Sequence, residues 1–289
     1  MDKNLIKELT RIENRYLPII QILENNSEYK DLYKGFITFQ SELNYNPDIL
    51  FLGINPGDGA FNEINNKNKF PEKIRFPKRI ISDPEYLKDL KLDWFKKGNA
   101  RGEFIKKKWY AYDWFENAKK INNSFPARMI ELLYSYTEKL HPDKKTQKND
   151  ITDIIENDIQ NKIAYINIYP IATKSTKELN EIINKLSKDK NIGSIIGNNG
   201  YITPISLKNF FRQRTIDFIN EINPKVIVLL GHTAYQDLTM QNDHKGKKVI
   251  QKKITFRKND TTKYNVISFS RQGNWSSLID IITTEIIED

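Results

Sequence analysis

Ile49-Leu50-Phe51-Leu52-Gly53-Ile54-Asn55-Pro56-Gly57 is the stretch on which the fold turns. Its four leading apolar residues are about the length of a strand covered on both faces, and the Gly, Asn, Pro and Gly behind them are turn formers that stop it. Three further runs share that character: Ile163 to Ile166, Val226 to Leu230 and Val266 to Phe269. Helical patterns separate the four runs. Leu5 to Leu23 is amphipathic, Ala127 to Leu140 follows a Pro126 start, and Lys177 to Leu186 has apolar residues at helical spacing. Ser206 to Ile222 opens on a capping Ser and is closed by Asn223-Pro224, and Ser276 to Ile287 supplies a last amphipathic helix. Strands alternating with helices predict an α/β fold, a three-layer α/β/α arrangement around a central, mainly parallel, four-stranded sheet.

At ~100–200 residues per domain, 289 residues allow one large domain or two small ones. The strand-helix alternation favours a single domain over 1–289, with an N-terminal helical extension to residue 45 and an α/β core from 46 onward. Residues 60–125 fit least well. They are polar, basic and aromatic without a sustained period, as an irregular insertion over one face would be, and such a connection in a compact domain is more often functional than idle. Anchoring the insertion to the core is the plainer role for any one of its aromatics. The Asn199-Gly200 pair signals a hairpin turn, and the glycines around it lack the Gly-Lys-Ser/Thr ending of a phosphate loop.

Composition narrows the chemistry. The absence of Cys excludes disulfide frameworks, thiolate nucleophiles and Cys-ligated zinc or iron–sulfur clusters, and it points to a reducing, cytoplasmic home. His141, His232 and His244 are scattered without metal-ligand spacing, so a His-rich metal site is not expected. The N-terminus lacks the apolar stretch of a signal peptide, and no run is long enough to span a membrane. A net charge of +9 favours a polyanionic partner such as nucleic acid, while AT-rich coding, visible in the many Lys, Asn and Ile, is the bland account of the same excess.

In open α/β sheets ligands bind outside the carboxyl ends of the strands. The residues placed there are Gly53 to Gly57, Asn167-Ile168-Tyr169-Pro170, Gly231-His232-Thr233-Ala234 and Ser270-Arg271-Gln272-Gly273-Asn274. They include no paired carboxylates, no G-x-S-x-G elbow and no G-x-G-x-x-G loop, so the rim is equipped for hydrogen bonding and electrostatics more than for a strong base.

These segments, in this order, resemble the uracil-DNA glycosylase superfamily. Gly53-Ile54-Asn55-Pro56-Gly57 is similar to its first motif as found in the mismatch-specific and single-strand-selective branches, and Ala164 to Pro170 is similar to the segment with the base-reading Asn. Val228 to Ala234 resembles the later strand, Gly and helix start, and Ser268-Phe269-Ser270-Arg271 falls where the second catalytic motif belongs. The resemblance spans residues 46–289 and implies a monomeric enzyme that flips a base out of DNA and hydrolyses its glycosidic bond without metal or organic cofactor.

Residue roles follow from the same resemblance. Asn55 would hold the attacking water, and Asn167 would read the flipped base, with Gly53 and Ile54 also binding it. Phe70 is the candidate for stacking on the base, with Phe61 and Phe76 as rivals. Where the family has His or Asn, then Pro and Ser, this chain has Ser268-Phe269-Ser270; Ser268 would donate to the departing base, and Ser270 matches the phosphate-contacting Ser. Arg271 and Gln272 lie where a wedge enters the minor groove, and Lys174, Ser175, His232 and Thr233 are candidate phosphate contacts. Plainer roles stand beside these: Asn55 as a turn residue, Asn167 as a fastener of the Tyr169-Pro170 turn, the surface residues as solvated groups. Two other functions are open, the same fold acting on a different modified base and a catalytically inert DNA-binding or sensing module.

Overall fold

The computed structural model describes residues 3–36, 43–56, 135–142, 162–197, 202–244, 249–257 and 260–269, together with 278, 280–282 and 284–285 near the C-terminus. The four apolar runs are all strands, β2 (Ile49–Gly53), β3 (Ile163–Asn167), β5 (Val226–Leu229) and β7 (Tyr264–Phe269). They lie in the order β3-β2-β5-β7, all parallel, and their residues are buried throughout.

Among the described residues the sheet has five strands where four were expected. The fifth, β6 (Val249–Ile254), pairs antiparallel with β7 at the edge. Its sequence Val-Ile-Gln-Lys-Lys-Ile hides it, because an edge strand that carries lysines against unwanted pairing shows no continuous apolar run. A second, two-stranded sheet joins β1 (Gly35–Phe36) to β4 (Ile171–Ala172), so the N-terminal extension contributes a strand as well as helices.

The helix expected over Leu5 to Leu23 is two helices, α1 (Lys3–Asn14) and α2 (Leu17–Asn25). Pro18 sits in the first turn of α2, where its missing N–H costs nothing, whereas inside one long helix it would break the ladder. Helix α3 (Thr176–Leu186) is followed by the single turn α4 (Ile192–Ile195). Helix α5 (Pro204–Ile222) starts two residues ahead of the expected Ser206: Thr203 accepts the Ser206 N–H at 3.0 Å, and Pro204 takes the first position. It ends at Asn223 in the left-handed region, as the Asn223-Pro224 stop predicts. Helix α6 (His232–Thr239) follows β5. Residues 135–140 are helical, as are the described residues between 278 and 285.

Register separates the two faces of the sheet. Leu50, Leu52, Ile166, Ile227, Leu229 and Val266 share one face and form the main core with Leu5, Leu9, Phe211, Ile219 and Tyr235 from the helices. Phe51, Val228 and Ile267 on the opposite face are equally buried, and Tyr136, which donates to Asp48 just ahead of β2, is buried too. Among the described residues no helix is long and apolar enough to cross a membrane.

Candidate functional site

The strand order places a topological switch point at β2. The chain leaves β2 for β3 on one side, and β5 lies on the other, so a crevice is expected between the carboxyl ends of β2 and β5. Asn55 stands there, two residues beyond β2 and half-buried.

Its side chain is held in one orientation. The Asn55 Nδ2 lies 2.9 Å from Thr173 Oγ1, 3.0 Å from its neighbour's carbonyl at Pro56 and 3.3 Å from the Ile171 carbonyl. Thr173 Oγ1 spends its own proton on the Ser175 carbonyl at 2.8 Å, so all three groups are acceptors and only the amide nitrogen can face them. Oδ1 is thereby turned the other way, and no described residue donates to it.

Gly53 and Asn167 are register partners at the ends of β2 and β3. A Cβ on Gly53 would lie 2.5 Å from Asn167 Oδ1 and 3.0 Å from the Tyr165 hydroxyl, so only glycine lets the Asn167 amide lie across the end of β2. The two loops are stitched by backbone bonds: Ile168 N–H donates to the Gly53 carbonyl at 2.9 Å, Tyr169 N–H to Ile54 at 2.8 Å, and Thr173 N–H to Pro56 at 3.2 Å. The Ile54 side chain belongs to the core, and its backbone is what it offers the rim.

The carbonyls after β3 are held from beneath by α5. Arg214 donates to the Asn167 carbonyl at 3.4 Å, and Thr215 Oγ1 to the Ile168 carbonyl at 3.3 Å. Arg214 has no solvent exposure; its guanidinium lies 4.6 Å from the Phe218 ring centre and 5.7 Å from that of Tyr16. Burial brings its pKa down to about 10, opposed by Tyr16 and Glu13, which leaves it charged at neutral pH.

Other expected site residues are placed differently. Ser268 lies inside β7, paired with Leu229 and Ile250, with no exposure and with no hydrogen-bond partner for its hydroxyl among the described residues. Register puts its side chain on the helical-core face and Asn167 on the opposite face, three strand spacings or ~14 Å away, so the structure does not bring Ser268 together with Asn55 and Asn167. Ser175 caps α3 by accepting the Glu178 N–H at 3.3 Å, and the Glu178 carboxylate accepts the Lys174 N–H at 2.8 Å. Both Lys174 and Ser175 are exposed. His232 opens α6 after Gly231, whose φ of 107° only glycine adopts readily, and its ring stacks on His244 at 4.6 Å between centroids. Phe61, Phe70, Phe76, Ser270, Arg271 and Gln272 lie outside the described residues, as do the 60–125 insertion and the Asn199-Gly200 turn.

Thr173, Tyr165, Arg214 and Thr215 complete the site and carry no motif. Tyr165 alone had a signal, as the large polar residue two before Asn167 on the same strand face. No protein-family model matches the sequence, and no curated protein matches it either.

Proposed function

We propose that the protein is a DNA glycosylase, a member of the uracil-DNA glycosylase superfamily that hydrolyses the bond between deoxyribose and uracil or a related modified base turned out of the helix. The supporting observation is the pair of amides at the carboxyl ends of β2 and β3: Asn55, fixed through Nδ2 with Oδ1 turned away from its anchors, and the buried Asn167 lying across Gly53. An amide oxygen suffices to align a water with the anomeric carbon, because a largely dissociative cleavage depends on placement more than on base strength. The water forms the new C–O bond as the C–N bond breaks, the bonding pair leaves with the base, and the water's proton passes to solvent or to the departing base. Asn167 presents a donor and an acceptor, the complement of uracil's carbonyl and ring N–H. No described group is assigned to stabilising the departing base, which fits a slow enzyme.

The placement of Ser268 inside β7 favours the second reading, an inert DNA-binding module. Incubation with oligonucleotides carrying single uracil, hypoxanthine or hydroxymethyluracil bases, followed by alkali, separates the two. Strand breaks at the modified position in at least one substrate are the expected result; binding with every strand left intact supports the inert module.

A further inference from the structure

At the other end of the sheet, three exposed lysines line a pocket that the glycosylase reading does not use. Lys225 just precedes β5, Lys253 lies on the edge strand β6 opposite Asn265, and Lys263 just precedes β7. With Asn46, Asn223 and Asn265 they line a polar concavity of 470 Å³, enough for a mononucleotide-sized ligand.

The pocket is built from fixed backbone. Asn46 and Asn223 both hold left-handed conformations, with φ of 51° and 49°, and Asn223 Nδ2 donates to Asn46 Oδ1 at 2.9 Å. Asn46 N–H donates to the Ile222 carbonyl, and Lys225 N–H to Pro47 at 3.0 Å, which ties the start of β2 to the start of β5. Lys225 is paired with Asp48 at 2.9 Å. Neither Lys253 nor Lys263 has an acidic partner among the described residues, so the lining carries two uncompensated positive charges beside neutral amides. Protection of an exposed edge accounts for Lys253 alone. It leaves unexplained why Lys263 and Lys225, from other elements, line the same concavity, where like charges repel.

We infer that this pocket is a binding site for a phosphate-bearing anion, with Lys253 and Lys263 meeting the phosphate oxygens and the asparagine amides supplying further donors. The phosphate can belong to a free nucleotide or pyrophosphate, or to a nucleic-acid backbone. Because the pocket lies at the strand amino ends, away from Asn55, the inference stands apart from the excision chemistry.

The test compares the full chain with the Lys253→Ala/Lys263→Ala double variant and with Lys188→Ala/Lys190→Ala, a control in exposed lysines elsewhere. Melting temperature is followed as inorganic pyrophosphate or a mononucleotide is added, since a ligand of the folded state raises it with concentration. Binding of an unmodified oligonucleotide is followed against salt. A free phosphate ligand gives a rise in the parent and in the control and binding roughly tenfold weaker in the pocket variant, the effect of losing charge-assisted contacts. A backbone ligand gives no rise with pyrophosphate but lowers the salt slope of the pocket variant by roughly one to two relative to the control. Equal behaviour of the two variants toward every anion, or no binding by the parent, overturns the inference.

Discussion

Asn55 acts through the direction its amide faces, and that direction comes from Thr173, 118 residues later in the chain. The Asn was legible in the sequence because a strand followed by Asn-Pro-Gly announces itself locally. Its anchor was not, since a threonine beyond a two-residue strand looks like any other until β4 folds back against the β2 loop. Gly53 shows the same division: the glycine is visible, while the reason for it is a contact with Asn167 across the ladder. Gly53→Ala is therefore expected to displace the Asn167 amide. Overpacking of this kind costs ~1–3 kcal/mol, visible as a lower melting temperature, and excision should fall further than that loss of folded protein explains. Asn167→Asp replaces donor and acceptor by acceptors alone, so discrimination should shift from uracil toward cytosine, whose exocyclic amine supplies a donor, by ~1–3 kcal/mol in a competition between substrates. An unchanged ratio in a folded variant removes Asn167 from base reading.

Between elements, Arg214 joins the α1–α2 link, α5 and the end of β3, touching the Tyr16 ring, the Phe218 ring and the Asn167 carbonyl. Nothing in the sequence singled it out, because a lysine- and arginine-rich chain gives no cue that one arginine is buried without exposure. Glu13 on α1 is buried to the same degree and acts on the Arg214 charge. Arg214→Met removes a buried cation beside that carboxylate, so urea denaturation should register a loss of roughly 3–5 kcal/mol, most of it recovered in Arg214→Met/Glu13→Leu. A small loss in the single variant would mean that the N-terminal helices dock without the arginine. Helix boundaries set by caps were readable to within a residue or two at Lys177 and Ser206, whereas the break before Pro18 and the charged edge strand β6 escaped a search for long periodic runs.

For the whole molecule, the four apolar runs were enough to foretell an α/β fold with a mainly parallel sheet, because a strand buried on both faces admits only apolar residues. Strand order came from the structure alone, and with it the switch point at Asn55. The buried phenols make a further global prediction. Burial raises the pKa of Tyr29 to about 12, and it raises Tyr16, Tyr136 and Tyr169 as well, with Asp48 adding to the effect at Tyr136 and Asp237 at Tyr169. A phenol with a raised folded pKa contributes stability that is complete below the unfolded value near 10.0 and is lost as pH climbs through the folded value. Arg212 and Arg214, both depressed by burial, work in the opposite sense, but they are two groups against six phenols, Tyr235 and Tyr264 being raised as well. Melting temperature should therefore hold steady near neutrality and fall from about pH 10 upward; a flat profile to pH 12 would show these phenols to be exposed.

The central claim, that Asn55 and Asn167 serve hydrolysis of a flipped base, is tested most directly by single-turnover release of free base from a uracil-containing oligonucleotide, measured for the parent chain beside Asn55→Ala. The account predicts measurable release by the parent and a fall on the order of 10² or more in the variant, with folding and DNA affinity nearly unchanged. Release at equal rates by both proteins would contradict it.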